Sequence, residues 1–171
     1  MDKRVLIIMG SDSDLPVMKP ALDFLEETGI SYEVHISSAH RLPEKTASLA
    51  KNAEAEGFEV IIAAAGGAAH LPGVVAAFTL LPVIGVPVKS DTLSGVDSLY
   101  SIVQMPPGIP VATMAINGSK NAAIFAAEII AVKDNVIKEK LKRFREKMAG
   151  QVEDKDLKLQ SLGADAYLNN K

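Results

Sequence analysis

Five short apolar segments rich in valine and isoleucine recur along the chain. They lie at residues 5–9, 32–37, 60–65, 82–88 and 111–116. Apart from the second, these segments do not alternate between apolar and polar positions. Continuous apolar runs of this length, separated by helical segments, are typical of strands buried on both faces of a parallel sheet. The pattern therefore predicts a five-stranded parallel sheet.

Helices are predicted between these strands. Pro16, Pro43 and Pro72 each follow a strand and a turn that contains glycine or serine. Proline suits the first turn of a helix because its φ angle is already helical. Helices are predicted over residues 16–27, 43–56, 94–104 and 120–132. The alternation predicts a doubly wound α/β fold, a three-layer sandwich that binds ligands at the carboxyl ends of its strands.

The pattern changes towards the C-terminus. Residues 135–148 place apolar residues among many charged ones, which predicts an amphipathic helix. The solvated face of that helix explains the seven basic and three acidic residues at 133–147, so we do not expect nucleic-acid binding. Residues 151–171 show no strong period. We expect one domain over residues 1–150 and a C-terminal arm or tail over residues 151–171.

Composition narrows the possible classes of protein. The 171 residues suffice for one domain with a substantial core. The absence of cysteine excludes disulfides, thiolate catalysis and cysteine-ligated metals, and it suits the cytoplasm. A net charge of −3 gives no general attraction for nucleic acid or acidic membranes, and the first apolar run is too short to span a membrane. The 5% aromatic content leaves few platforms for stacking a flavin.

The loop after the first strand, Gly10-Ser11-Asp12-Ser13-Asp14, is the first candidate binding element. Backbone N–H groups at a helix N-terminus, with serine hydroxyls, suit the phosphate of a nucleotide, and a nearby carboxylate suits ribose hydroxyls. The alternative is that Ser13 or Asp14 merely caps the helix. The loop lacks the Lys-Ser/Thr pair of a Walker A loop and the three-glycine spacing of a dinucleotide fingerprint.

The second strand is followed by Ser38-Ala39-His40-Arg41. An imidazole changes charge near neutral pH and a guanidinium forks onto phosphate, so His40 and Arg41 together suggest proton transfer on a bound anion. The alternatives are a hydrogen-bonded structural histidine and an arginine in a surface ion pair.

The loop after the third strand consists of small residues until His70. Gly66, Gly67 and Ala68 would let the backbone approach a ligand closely. They would also present N–H groups to a carboxylate, or to the carbon dioxide that leaves one. The alternative is a plain tight turn, although such a turn rarely needs so many small residues in succession.

Taken in order, these motifs resemble a known family. GSDSD, SAHR and GGAAHLPG follow the first three strands, and PVIGVPV and SLYSIVQMPPGIPVAT come later. Over residues 5–131 they closely resemble the class I 5-(carboxyamino)imidazole ribonucleotide mutases of de novo purine synthesis. The resemblance implies a flavodoxin-like three-layer αβα sandwich, a homo-octamer with active sites at subunit junctions, and no metal or organic cofactor. It also implies a ribonucleotide substrate whose carboxylate moves from the exocyclic amine to ring carbon 4.

The resemblance also implies roles for individual residues. His40 would carry the proton, and His70 would be either a second acid/base or a group that orients the carboxylate. The substrate-binding positions would be Gly10, Ser11, Ser13, Asp14, Ser38, Arg41, Gly66, Gly67, Ala68 and Leu71. Of these, the phosphate would be held by Ser11, Ser13, Ser38 and Arg41, and the ribose by Asp14.

The resemblance further implies that residues 105–108, within the last of these motifs, cover the site from a neighbouring subunit. His35, inside the second strand, matches no motif and is expected to be structural. Ala64 stands where members of the family commonly have glycine. Residues beyond Gly150 match no motif of the family.

Two other functions are weighed against the mutase. A class II relative carboxylates aminoimidazole ribonucleotide directly with carbon dioxide. Such proteins tend to have SAHK and a less alanine-rich third loop, so Arg41 and Gly67-Ala68-Ala69-His70 favour class I. A non-catalytic nucleotide-binding or signalling module could use the same fold. A phospho-receiver of this kind needs an aspartate at the end of strand three, where this chain has Ala65-Gly66.

Overall fold

The computed structural model describes residues 3–170. Five parallel strands form one sheet in the order β2-β1-β3-β4-β5. The strands are β1 (Val5–Met9), β2 (Tyr32–Ile36), β3 (Val60–Gly66), β4 (Val83–Val88) and β5 (Ala112–Thr113). This is the strand order of the flavodoxin-like fold, so the predicted fold class is confirmed.

Seven α-helices lie within the described residues. They are α1 (Leu15–Thr28), α2 (Pro43–Asn52), α3 (Leu71–Ala76), α4 (Val96–Val103), α5 (Ser119–Ala131), α6 (Asn135–Leu162) and α7 (Ala164–Asn169). A short 3-10 helix, Asp12–Asp14, precedes α1. Pro16, Pro43 and Pro72 lie in the first turns of α1, α2 and α3, as the sequence predicts.

The fifth strand is shorter than the sequence predicts. β5 contains two residues, whereas the apolar pattern covers residues 111–116. Pro110 has no N–H to donate to a neighbouring strand, and Asn117 has a left-handed φ of 58°, so regular pairing is limited on both sides. One further bond persists, because the N–H of Met114 donates to the carbonyl of Gly85 at 2.9 Å. The prediction is correct in position and wrong in length.

The core lies on both faces of the sheet. β1, β3 and β4 are buried along nearly their whole length, whereas β2 lies at an edge and is partly exposed, which explains its alternating pattern. One face packs against α1 and α5, and the other packs against α2, α3 and α4. The side chain of Ala64 is fully buried in the first of these layers, so the core accommodates its methyl group.

Helix α6 extends well beyond the predicted segment of residues 135–148. It begins after Asp134, whose carboxylate accepts the N–H groups of Val136 and Ile137, and continues without a break to Leu162. Residues 151–162 are all exposed, so no buried face gives them an apolar period. The division into a domain ending at residue 150 and an arm stays a prediction. No helix within residues 3–170 is long and apolar enough to cross a membrane.

Candidate active site

The loops that follow β1, β2, β3 and β4 enclose a cleft of about 620 Å³ at the carboxyl edge of the sheet. The topology explains this convergence, because parallel strands place all their carboxyl ends on one edge. The cleft is lined by the two histidines and ten binding residues expected from the sequence, together with Ala39, Ala65, Val88, Lys89, Ser90 and Asp91. Placement in one cleft does not assign a role to each residue.

The first loop is closed by a reciprocal cap. The N–H of Ser13 donates to Ser11 Oγ at 3.3 Å, and the N–H of Ser11 donates to Asp14 Oδ2 at 3.1 Å. Asp14 is buried, and this burial raises the pKa of its carboxyl group, while N–H groups of Ser11 and Gly10 act in the opposite direction. This pair caps the 3-10 helix Asp12–Asp14, whereas the side chain of Asp14, the N-cap residue of α1, makes no cap bond to α1, so the capping alternative is wrong for that helix. The same loop still lines the cleft.

The second loop brings Arg41 over the first. The N–H of Arg41 donates to Ser38 Oγ at 3.3 Å, and its guanidinium donates to the carbonyl of Gly10, also at 3.3 Å. Arg41 makes no ion pair with any carboxylate of the described residues. Behind the loop, the hydroxyls of Ser37 and Thr46 share a buried hydrogen bond of 2.8 Å. The guanidinium thus remains available to an anion between the two loops.

His40 and His70 contact each other across the cleft. His40 Nε2 lies 2.7 Å from His70 Nδ1, and the two rings meet edge to face with centroids 4.9 Å apart. His70 precedes α3, but its side chain does not cap that helix. A hydrogen bond between two imidazoles requires a donor on one ring and a free lone pair on the other. The pair can therefore hold one proton between two strand ends, an arrangement that sequence spacing did not predict.

The third loop uses most of its backbone donors inside the protein. The N–H groups of Ala69 and His70 donate to the carbonyls of Gly67 and Ala68, both at 2.8 Å. The N–H of Gly67 donates to Ser98 Oγ at 2.9 Å. The expectation that the glycines of this loop present N–H groups to a carboxylate is therefore wrong for Gly67. The small side chains instead keep the floor of the cleft open.

A fourth loop, after β4, was missed by the sequence argument. Lys89, Ser90 and Asp91 line the same cleft. The N–H of Lys89 donates to Asn117 Oδ1 at 2.8 Å, and Ser90 Oγ donates to Asp97 Oδ1 at 2.7 Å. A signal was present in the sequence, because these residues follow the fourth strand and must reach the same edge as the other three loops.

Comparison with known proteins identifies the family. A sequence profile of the family described as AIR carboxylase matches residues 4–151. This chain belongs to the AIR carboxylase family. The N5-carboxyaminoimidazole ribonucleotide mutase of Thermotoga maritima is 61% identical over 98% of this chain and 98% of its own. The mutase of the same name from Pyrococcus horikoshii is 60% identical, covering 95% of this chain and 92% of its own.

A solved structure of the family shares the fold. Treponema denticola PurE superposes with a TM-score of 0.84 at 34% sequence identity, covering 92% of this chain and 98% of that one. The likeness extends over nearly the whole of both chains, so the three-layer architecture is that of the AIR carboxylase family.

Other residues singled out in the sequence lie away from the cleft. His35 Nε2 lies 2.7 Å from Glu33 Oε1 on β2, and His35 does not line the cleft. Residues 105–108 do not line it either, and Met105 instead packs against Gly73 of α3. Within residues 3–170, no group of three or more histidine, cysteine, aspartate or glutamate side chains is arranged to hold a metal ion.

Proposed function

We propose that this chain is an N5-carboxyaminoimidazole ribonucleotide mutase. It converts 5-(carboxyamino)imidazole ribonucleotide to 4-carboxy-5-aminoimidazole ribonucleotide in purine biosynthesis. Relatives 60% and 61% identical over nearly the whole chain carry this name. The observation that carries the proposal is the His40–His70 contact, which lies in a cleft with an arginine that forms no ion pair with a carboxylate of residues 3–170.

The nucleotide is bound at the ends of β1 and β2. Arg41 and the hydroxyls of Ser11, Ser13 and Ser38 hold the phosphate, because charged and neutral donors from two adjacent loops surround the same space. Asp14, in the capped first loop, accepts from the ribose hydroxyls. In this assignment Arg41 is an anchor for the substrate and takes no part in proton transfer.

The chemistry requires one proton to change places. The carbamate N–C bond breaks, its electron pair returns to the exocyclic nitrogen, and that nitrogen gains a proton. Ring carbon 4 then attacks the released carbon dioxide and afterwards loses its own proton. One imidazole that donates a proton to the exocyclic nitrogen and later accepts the proton of ring carbon 4 balances both steps. Such proton transfers accelerate a reaction roughly 10²–10⁴-fold. His40 is that group, and no oxidation state changes, so the reaction requires no redox cofactor.

His70 and the small residues complete the site. The 2.7 Å contact orients the ring of His40 and gives its proton a second place to reside. Carbon dioxide is confined by the third loop and the start of α3, where Gly66, Gly67, Ala68 and Leu71 line the cleft. Confinement excludes water and keeps the released molecule close to the carbon that attacks it.

Two variants test these roles. His40→Asn should fold and bind nucleotide while turnover falls by about 10²–10⁴-fold, because its amide cannot carry the proton. Arg41→Ala should weaken nucleotide binding by about ten- to a hundredfold, the contribution of a charged hydrogen bond. Near wild-type turnover in the first variant, or unchanged affinity in the second, would remove that residue from its assigned role.

The alternative is a class II carboxylase that takes free carbon dioxide. Purified protein is given the carbamate nucleotide, or aminoimidazole ribonucleotide with bicarbonate, in separate reactions. The proposal requires the carboxylated product from the carbamate. If only the reaction with aminoimidazole ribonucleotide and bicarbonate gives the product, and the carbamate nucleotide gives none, the class II reaction would be established instead.

The assembly we propose is a homo-octamer in the cytoplasm. Apolar side chains remain exposed on the single chain, among them Leu80 at 97% and Val132 at 82%. Exposed apolar side chains favour burial against other copies. Residues 105–108 would then reach the cleft of a neighbouring subunit. Light scattering should give eight times the 18.1 kDa of one chain, and a monomer would contradict the proposal.

A further inference from the structure

Lys89 lies at the opposite end of the cleft from Arg41. It follows Val88, the last residue of β4, which is paired with Gly66 at the end of β3. Arg41 lies beyond β2, and its guanidinium donates to Gly10 at the end of β1. Two inter-strand steps separate the end of β1, where this guanidinium lies, from the end of β4, which is about 10 Å at the spacing of a sheet. The cleft therefore carries two separate cations.

The backbone of Lys89 is fixed, whereas its ammonium group has no acidic partner among the residues that the structure describes. The N–H of Lys89 donates to Asn117 Oδ1 at 2.8 Å, and Ser90 is bonded to Asp97 at 2.7 Å. The Lys89 side chain is exposed, and it forms no ion pair with any described carboxylate, including Asp91 in the same loop. An unpaired ammonium on a fixed backbone is suited to bind an anion that enters the cleft.

The proposed substrate has two anionic ends. Its phosphate is assigned to the loops after β1 and β2, where Arg41 lies. The His40–His70 pair lies between the two cations, because His70 belongs to the loop after β3. A nucleotide bound in this direction places its ring at the histidines and its carboxylate on the side of β4. We propose that Lys89 binds the carboxylate group of the nucleotide, an inference that rests on the proposed function and makes Lys89 a specificity-determining residue.

Two ligands that differ only in the carboxylate test this assignment. Aminoimidazole ribonucleotide lacks the group, and its 4-carboxy derivative carries it. Calorimetric titration of both ligands is made with wild type, Lys89→Met and Lys89→Arg. Lys133→Met, in the turn between α5 and α6, is the matched control because it removes an exposed lysine outside the cleft. Thermal unfolding confirms that each variant folds.

The expected result is selective loss of one affinity. Lys89→Met should weaken binding of the carboxylated nucleotide about tenfold, as expected for a charged hydrogen bond, and leave aminoimidazole ribonucleotide unchanged. Lys89→Arg should restore most of the loss, and Lys133→Met should resemble wild type. If Lys89→Met binds both nucleotides more weakly by the same factor, Lys89 contacts the phosphate or ribose and the inference is overturned. Unchanged affinity for both nucleotides would also overturn it. Wild-type protein that binds neither nucleotide would refute the proposed function and this inference with it.

Discussion

Ser98 fastens the third loop to the end of β4, and its replacement should damage both stability and turnover. Its side chain is fully buried in α4. Ser98 Oγ donates to the carbonyl of Val88 at 2.7 Å and accepts the N–H of Gly67 at 2.9 Å. Ser98→Ala removes both bonds and leaves a carbonyl and an N–H without these partners, next to the small-residue floor of the cleft.

The magnitude follows from those two groups. The Val88 carbonyl, left buried without its partner, costs about 1–3 kcal/mol, and loss of the bond to the half-buried N–H of Gly67 costs about 1 kcal/mol, so the free energy of unfolding should fall by about 2–4 kcal/mol. For a chain of this length that change corresponds to a decrease in Tm of about 5–15 °C. Turnover should also fall about tenfold or more, because a small displacement of Gly67 alters the space beside the histidines.

Calorimetric unfolding at one protein concentration, with steady-state turnover, provides the assay. Ser101→Ala is the matched control on the same helix. Ser101 Oγ donates to the carbonyl of Asp97 at 2.8 Å, one turn back in α4, and lies 3.5 Å from the carbonyl of Gly67. Its replacement should cost about 1 kcal/mol or less. If Ser98→Ala and Ser101→Ala have the same Tm and the same turnover, the reasoning about Ser98 is wrong.

Three further predictions concern stability and its pH dependence. Burial raises the pKa of Asp14, so the folded state binds the carboxyl proton more tightly than the unfolded state, and stability falls as pH rises from the unfolded-state pKa through the folded-state pKa. Asp14→Asn should remove this loss of stability, measured by urea unfolding, while weakening nucleotide binding. A variant that is less stable than wild type at neutral pH would contradict the prediction. Gly85→Ala should lower the free energy of unfolding by about 1–3 kcal/mol through overpacking, because the Cβ that alanine adds would lie 2.5 Å from Ile102 Cγ2. An unchanged midpoint of urea unfolding would disprove the clash. Hydrogen bonding to Arg4 lowers the pKa of Asp134, so the contribution of this carboxylate to stability is present above the unfolded-state pKa and is lost as pH falls through the folded-state pKa. Asp134→Asn should therefore make the decrease in the free energy of unfolding at acid pH less steep. An equally steep decrease would refute the linkage.

The sheet was predictable because its strands are buried on both faces. β1 and β4 read as continuous apolar runs, and their neighbours on both sides bury every position. β5 was overestimated, because edge pairing is cut short near Pro110 and Asn117, which an apolar pattern does not register. The extent of α6 was missed for the opposite reason, since no buried face marks residues 151–162 with a period.

The cleft was predictable as a location and less so as a set of contacts. Strand ends on one edge bring the loops together whatever their sequence, so the presence of His40, Arg41 and His70 in one cleft follows from topology. The 2.7 Å contact between the two imidazoles depends on ring orientation, which spacing along the chain does not define. The use of the Gly67 N–H by Ser98 was equally hidden, because the two residues are far apart in sequence.

The retention of a labelled carboxylate tests the central claim most directly. The protein is given carbamate nucleotide labelled with ¹³C in its carboxylate, in buffer containing excess unlabelled bicarbonate, and the product is analysed by mass spectrometry. If the protein confines carbon dioxide beside His40, nearly all the ¹³C should be found in the carboxylate that is attached to ring carbon 4 of the product. Product whose label is diluted to that of the dissolved bicarbonate would contradict transfer within one closed site.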